Sequence, residues 1–478
     1  MCYKLVLRKV VYIKMSKILQ VFQKNKVFLL NSLISFCILL LLFLAYYPGI
    51  ITYDGAYQWS QVQSKVINNA HPFFSTYFMY ILSKLYNSTD IIILFQITLF
   101  STMWGYLCQL LKCSEKSNYL KVIFTIIISI LPIISVYSIT LWKDVLYSYY
   151  LFGISVLIFK GFIKEYKIFD YILLGILLSM VFSYRHNGMI VAILLLIIII
   201  KWVIKSENKR LKIRNCIITM LTFIFILGII SVPKSIYLKR LPKNNDISLS
   251  TIETYALWDF GAYILNEKTL TANEKKFLNN IIPLKKWKKI YDPYIVNSTA
   301  TEDTLDKKYL KKNNTKFLNI FVRNVKKNPI ILIRHYLKAD GLIINPLSMK
   351  DGYLYIFDFS EWGPVGFDAK IDSKLPIFKN LYNIVINVTF IKPFNYLYQP
   401  ALWLYISIIL CFVLTKIYGK KIWLFITPML CNSISLLPIN LAQDLRYVYI
   451  NFPTAFAIIL LFMLSYKKKK ERMEIHEK

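Results

Sequence analysis

Histidine is nearly missing from this sequence, with four in 478 residues, and glycine (14) and cysteine (7) are sparse. Acids are short too, 26 Asp and Glu against 59 Lys and Arg. Each shortage excludes something. There is no H-E-x-x-H zinc motif, and the glycines form neither a P-loop nor a dinucleotide-binding fingerprint. The cysteines (Cys2, Cys37, Cys108, Cys113, Cys216, Cys411 and Cys431) lie in apolar runs or their short flanks, so no disulfide framework or Cys-based metal site follows. The acid shortage leaves a formal net charge of +33, but Lys and Arg are spread along short loops and tails rather than gathered on one face. That distribution points to membrane topology and not to a nucleic-acid partner. The richness in Ile, Lys and Asn is the composition of an AT-rich genome, as in many bacteria.

What the sequence does have is apolar length. It is 56% hydrophobic, with several runs near the roughly 20 residues a helix needs to cross a bilayer. Leu, Ile and Phe occupy every face of these runs, without the period-two alternation of a barrel, so the spans are expected to be helices. The first run, Val27 to Tyr47, is too long for a cleavable signal and has no small-residue cleavage site. The expected fold is an all-α polytopic membrane protein with about ten transmembrane helices, seven before a long loop and three after. The spans are read at 27–47, 90–111, 119–139, 145–163, 168–184, 187–204, 213–233, 400–416, 421–438 and 447–466.

Orientation follows from the Lys and Arg of short loops, which favour the cytoplasmic side. The segment 1–26 carries Arg8, Lys9, Lys14, Lys17, Lys24 and Lys26, and the tail 467–478 begins with four lysines. Both ends are therefore expected in the cytoplasm. The alternation then places Lys112 and Lys116, Lys160 to Lys167, Lys201 to Arg214, and Lys416 to Lys421 inside as well. Counting the short apolar piece His71 to Tyr86 as a crossing would put the basic 201–214 loop outside, so it is expected to be a juxtamembrane or re-entrant helix on the outer face. The domains are then a seven-helix core at 27–233 with an outer loop at 48–89, a mostly helical extracytoplasmic domain at 234–399, and three C-terminal helices at 400–466.

Several polar residues stand at the expected outer ends of spans. The first outer loop has Tyr53, Asp54, Tyr57, Trp59 and His71, and the next outer turn has Lys143 and Asp144. Arg185, His186 and Asn187 follow between the fifth and sixth spans, and Gln443, Asp444 and Arg446 between the last two. One such turn is ordinary polarity, or a cation snorkelling to headgroups. Their recurrence in tight turns against apolar helix ends, where the positive-inside bias disfavours Lys and Arg, suggests a shared cavity.

One acid among several cations suits glycosyl transfer from a lipid phosphate. Negative charge grows on the phosphate as its bond to carbon breaks, and a fixed Arg or Lys stabilises that transition state. An acceptor hydroxyl needs a base, which a carboxylate beside aromatic walls can supply. Asp54 is thus the candidate base, with Tyr53, Tyr57, His71, Lys143, Asp144, Arg185, His186, Asn187, Asp444 and Arg446 as candidate substrate-binding residues.

With Y-P-G-I-I-T-Y-D-G-A-Y-Q-W from Tyr47, H-P-F-F from His71, W-K-D from Trp142, Y-R-H-N-G from Tyr184 and D-L-R-Y from Asp444, the chain resembles the GT-C superfamily of polytopic glycosyltransferases. That superfamily includes the protein O-mannosyltransferases and the lipid A aminoarabinose transferases, and an uncharacterised group of bacterial membrane relatives is more similar still. The resemblance implies a seven-span core, a polyprenyl-phosphate sugar as donor substrate, and inverting transfer to an extracytoplasmic acceptor. It also implies Asp54 as the loop acid, with Lys143, Arg185 and Arg446 as phosphate ligands by location. The sequence departs from the family where Gly55 replaces the Glu that usually follows the acid in mannosyltransferases, and where H-P-F replaces H-P-P.

An acid, histidines and a phosphate could together recruit a divalent cation, but no compact ligand motif assigns one. Asp358, Glu361, Asp368 and Asp372, near the W-G-P at Trp362, lack EF-hand spacing. The rival readings are a transporter or flippase of lipid-linked sugars, and a scaffold whose outer domain binds a wall polymer. A transporter is expected to carry ionisable groups at mid-span and two-fold repeats. The topology has its own test: a cysteine at Asn297 should react with an impermeant thiol reagent in intact cells, and labelling only after lysis would invert it.

Overall fold

The computed structural model describes residues 20, 23–111, 116–204, 209–240, 249–266, 269–347 and 371–476. Much of the N-terminal basic segment and the stretch with Asp358, Glu361, Trp362 and Asp368 lie outside them. The described chain is almost entirely helical, and its only sheet among these residues is one two-stranded pairing. Among the described residues, six helices are long and apolar enough to cross a membrane: Lys26–Ala45, Asp90–Leu110, Lys143–Ile163, Ile213–Lys239, Pro400–Tyr418 and Leu445–Ser465. The chain is thus an all-α protein with the character of a multi-pass membrane protein.

Where the sequence suggested one straight span at 119–139, the structure has two helices, Ser117–Ile130 and Pro132–Ser138, bent by 65°. Proline explains the break. Pro132 has no amide hydrogen to continue the first helix and instead begins the second. Helices Ile168–Tyr184 and Gly188–Lys201 are apolar but shorter than the other spans. The expected juxtamembrane piece is the short helix Phe73–Ser83.

The first helix is held to its neighbours by polar groups in an apolar setting. Thr125 Oγ1 donates to Asn31 Oδ1 at 2.7 Å and accepts from Trp104 Nε1 at 2.9 Å. Ser35 is bonded to Ser101 and Ser129. Interhelical bonds of this kind have no water to compete with them in lipid.

Helix Lys209–Arg240 runs through Pro233, past the expected end of the seventh span. Its extension is secured by Tyr237, whose ring packs on Phe73, Tyr77 and Tyr80. The segment expected to be one domain, 234–399, divides. Helices between Thr251 and Ala339 close around their own core of Leu257, Phe260, Trp287, Phe317 and neighbours. Helix Pro376–Phe390 instead joins the main bundle, where Tyr46 Oη donates to Asn383 Oδ1 at 2.5 Å and Tyr382 Oη to the Ile130 carbonyl at 2.6 Å. Buried Tyr382 and Ile386 attach it there, while Ile377, Leu381 and Ile384 stay exposed, an attachment that a linear reading of loop length does not reveal.

The two-stranded pairing positions the candidate site. Ile50–Ile51 pairs in parallel with Thr140–Leu141, and buried Gln96 donates to the Ser138 and Thr140 carbonyls at 3.2 and 2.9 Å. The first long loop is thereby stitched to the turn that starts helix Lys143–Ile163. Gly105 marks the closest packing among the first helices. A Cβ there would overlap Ser32 Oγ and stand 2.7 Å from the Phe28 carbonyl oxygen, a backbone atom that cannot swing away. Gly105→Ala is expected to cost about 1–3 kcal/mol, read as a lower thermal midpoint in detergent. Gly228→Ala, where an added Cβ meets nothing within 4 Å, should not lower it.

Candidate active site

Thr52 caps the helix Tyr53–Ser64, its Oγ1 accepting from the Gly55 amide at 3.1 Å and donating to the Leu141 carbonyl at 3.2 Å. Asp54 therefore sits in the first turn of that helix, directly against the strand that leads into Lys143. Gly55 is what permits the approach: a Cβ on it would drive into the Leu141 carbonyl oxygen. Any larger side chain at this position, a glutamate included, would meet that backbone oxygen.

Asp54, Lys143, Asp144, Arg185, Asp444 and Arg446 come together in one cluster. Arg446 Nη1 donates to Asp54 Oδ2 at 2.5 Å, and Lys143 Nζ stands 3.5 Å from the same oxygen. Asp144 lies 3.1 Å from Arg185 Nε, 3.6 Å from Lys143 Nζ and 3.9 Å from Arg446 Nε. Asp444 completes the set, 2.8 Å from Arg446 Nε and accepting from the Arg446 amide at 3.0 Å. Three carboxylates face three cations, drawn from turns far apart in the chain.

The cluster is graded in depth. The Asp144 side chain is 1% exposed, Lys143 and Arg185 are 10%, and Asp54 is 23%. Asp144 is thus the sealed floor and Asp54 the open mouth. Burial opposes the charged form of Asp54, but Arg446 and Lys143 outweigh it and hold the carboxyl well below the usual carboxylate range. His71 lies 3.9 Å from Asp54. Burial, reinforced by the Lys143 charge, pushes its imidazole down to about 4. At neutral pH it is uncharged, and its contact with Asp54 is not an ion pair.

The other expected residues divide. Tyr57 packs edge-on against the His71 ring at 5.7 Å and accepts from Asn68 at 2.9 Å, so it forms the wall behind that histidine. Asn187 is buried beneath the cluster, donating to Ser435 Oγ at 3.1 Å and Asn432 Oδ1 at 3.4 Å. Tyr53 is 56% exposed and joins no ion pair. His186 is exposed and bonds to the Ala70 backbone. Neither joins the ion pairs of the cluster: Tyr53 precedes Asp54 at the start of its helix, and His186 lies in the turn between two helices.

Aromatic residues that the sequence reading passed over line the cations. The Arg446 guanidinium lies over Trp142 at 5.2 Å and Tyr447 at 5.1 Å, and Arg185 over Tyr447 at 4.5 Å and Tyr147 at 5.4 Å. Such contacts favour a guanidinium whose water has been removed. Asn432 was also missed: it accepts from Tyr147 Oη at 3.0 Å and donates to the Tyr447 carbonyl at 2.9 Å. An amide inside an apolar helix was the available signal.

Among the described residues, no group of three His, Cys, Asp or Glu side chains is arranged to hold a metal ion. No protein-family model, curated protein or solved structure matches the chain.

The His71 shift has a pH consequence. Its folded value, about 4, lies below the ordinary 6.5, so the unfolded chain binds the extra proton between those values and stability falls as pH drops through that window. Above about pH 6.5 the contribution is fully present. Imidazole NMR should find His71 neutral down to about pH 4, and His71→Asn should flatten the loss of thermal stability between pH 6.5 and 4. Titration near 6.5 would refute the burial argument.

Proposed function

We propose that this protein is a membrane glycosyltransferase. It moves a sugar from a polyprenyl-phosphate donor to a hydroxyl of an extracytoplasmic acceptor, a surface polymer, glycolipid or protein, with inversion at the anomeric carbon. The observation that carries this reading is the cluster itself, in which the most exposed carboxylate, Asp54, shares Arg446 and Lys143 with buried acids. The motif resemblance to the GT-C superfamily, carried by the same turns, agrees with it. The proposed topology has about ten spans, seven and three, with both termini cytoplasmic and the cluster outside.

In this mechanism the donor phosphate meets no surplus positive charge. With His71 neutral, Asp54, Asp144 and Asp444 balance Lys143, Arg185 and Arg446. An incoming phosphate must therefore compete with a carboxylate for its cations, and Asp54 is the one at the open side. Once Arg446 and Lys143 turn towards phosphate oxygens, the charges that hold down the Asp54 pKa are shared, and the carboxylate becomes a stronger base. Donor binding thus activates the base.

Asp54 then takes the proton of the acceptor hydroxyl as its oxygen attacks the anomeric carbon opposite the phosphate. The carbon–oxygen bond to phosphate breaks, and its electron pair leaves on polyprenyl phosphate, whose added charge Arg446, Lys143 and Arg185 stabilise. Asp144 and Asp444 hold those guanidinium groups in place. His71, beside Asp54 and backed by Tyr57, offers a ring face to the sugar.

Asp54→Asn should abolish sugar transfer from a purified polyprenyl-phosphate sugar in a protein that still expresses and folds, with a lower thermal midpoint because Arg446 and Lys143 lose a paired charge. Full activity in that variant would remove the base. Movement of the lipid-linked sugar across reconstituted membranes with no new glycosidic bond would favour a flippase instead.

A further inference from the structure

Helix Pro329–Ala339 turns Ile331, His335 and Ala339 into the small helical domain. Its opposite side is uncovered: Ile330, Ile333 and Leu337 are 51%, 52% and 56% exposed. At 3.6 residues per turn these three make one stripe along the helix. Arg334 and Lys338 are exposed along one edge of it, and the preceding helix, Asn314–Lys327, ends in exposed Lys326 and Lys327. No acid occurs between Arg323 and Lys338.

The other edge borders a groove of about 620 Å³. Leu332, Tyr336, Asp340 and Ile344 line one wall, and Leu437 and Pro438 the other. Its height relative to the bundle is fixed by two hydrogen bonds. Tyr405 Oη donates to the Ile344 carbonyl at 3.0 Å, and Gln399 Nε2 donates to the Asn345 carbonyl. Tyr405 belongs to Pro400–Tyr418, one of the helices long and apolar enough to span, and Ile409 and Phe412 continue its exposed apolar surface at 60% and 64%. The Ile344 end of the groove therefore adjoins the first turns of a helix long and apolar enough to span, on the side where that helix exposes Ile409 and Phe412.

Scattered exposed apolar residues need no explanation. An apolar stripe edged by cations, level with the end of a span, is the pattern of a helix lying in the membrane interface. We propose that this surface binds an anionic phospholipid. Ile330, Ile333 and Leu337 enter the headgroup–acyl boundary, an acyl chain occupies the groove, and Lys326, Lys327, Arg334 and Lys338 hold the headgroup phosphates. Asp340, in the groove wall, accepts from Asn440 at 3.1 Å, and burial pushes its carboxyl up to about 7, which weakens its repulsion of an anionic lipid. Ile343 and Ile344 pack with Leu436, Val448 and Tyr447, so the lipid site is joined by direct packing to the residue that carries Arg185 and Arg446. The site does not depend on which reaction the ion cluster performs.

The test uses the full chain in nanodiscs of phosphatidylcholine with or without phosphatidylglycerol, and a fluorescent non-natural residue in place of Ile333 or, in a second protein, Leu337. Lipids brominated on their acyl chains should quench both labels, and brominated phosphatidylglycerol should do so at lower mole fraction than brominated phosphatidylcholine. Each cation at an anionic surface is worth a roughly fivefold preference, so Lys326→Glu with Lys327→Glu should erase most of the difference. Quenching by aqueous iodide with none from lipid would overturn the membrane contact. Equal quenching by the two lipids would overturn the anionic selectivity, and protection from both quenchers would mean that a protein partner or second copy covers the stripe instead.

Discussion

Asp144 sets the arrangement at this end of the bundle. A carboxylate removed from water loses hydration worth several kcal/mol, and only opposite charge at close range offsets that loss. At 1% exposure Asp144 has Arg185, Lys143 and Arg446 within 4 Å, and neither of its oxygens accepts a well-formed hydrogen bond. It is therefore held by charge alone and draws cations from three different turns towards one point. Lys143 and Arg446 also reach Asp54, and Arg446 reaches Asp444. The deep acid organises and the shallow acid is left accessible, a division that suits a site in which one carboxylate must exchange partners with an incoming anion.

Backbone geometry brings the open acid to that point. The break at Pro132 redirects the chain into Thr140–Leu141, the short parallel pairing brings Ile50–Ile51 alongside, and the missing side chain at Gly55 lets the next helix start against Leu141. Arg446 is aimed from the opposite side by stacking of Tyr137 on Tyr449 at 4.5 Å and by the Asn432 bond to the Tyr447 carbonyl. The loop just before it is fastened to the small domain, where the Gln443 amide donates to the Tyr294 carbonyl and its side chain to Lys338, each at 2.8 Å. The same domain carries the proposed lipid surface, so membrane contact and ion cluster share one support.

Much of this was legible along the chain because it depends on local chemistry. Asp54, Lys143, Asp144, Arg185, Asp444 and Arg446 could be selected as charges where apolar helices end, since burying a charge demands a partner wherever the chain leads it. His186 and Tyr53 were selected by the same rule and lie off the cluster, because the rule reports which turn is polar and not which side chain of the turn points inward. Tyr447, Tyr147 and Asn432 were passed over for the converse reason. A tyrosine or an amide near a helix end has many uses, and only the guanidinium above it or the carbonyl beside it reveals which.

By itself the sequence determined that the chain is helical and apolar enough for a membrane, since run length and composition decide how backbone groups are satisfied without water. It also determined which turns hold charge. The tertiary structure decided that Asp54 pairs with Arg446, 392 positions away, that Asp144 is sealed while Asp54 is open, and that helix Pro376–Phe390 belongs to the bundle rather than to the small domain. Those outcomes rest on contacts between segments remote in sequence, whose energies depend on distance and burial, and neither quantity exists until the chain has folded.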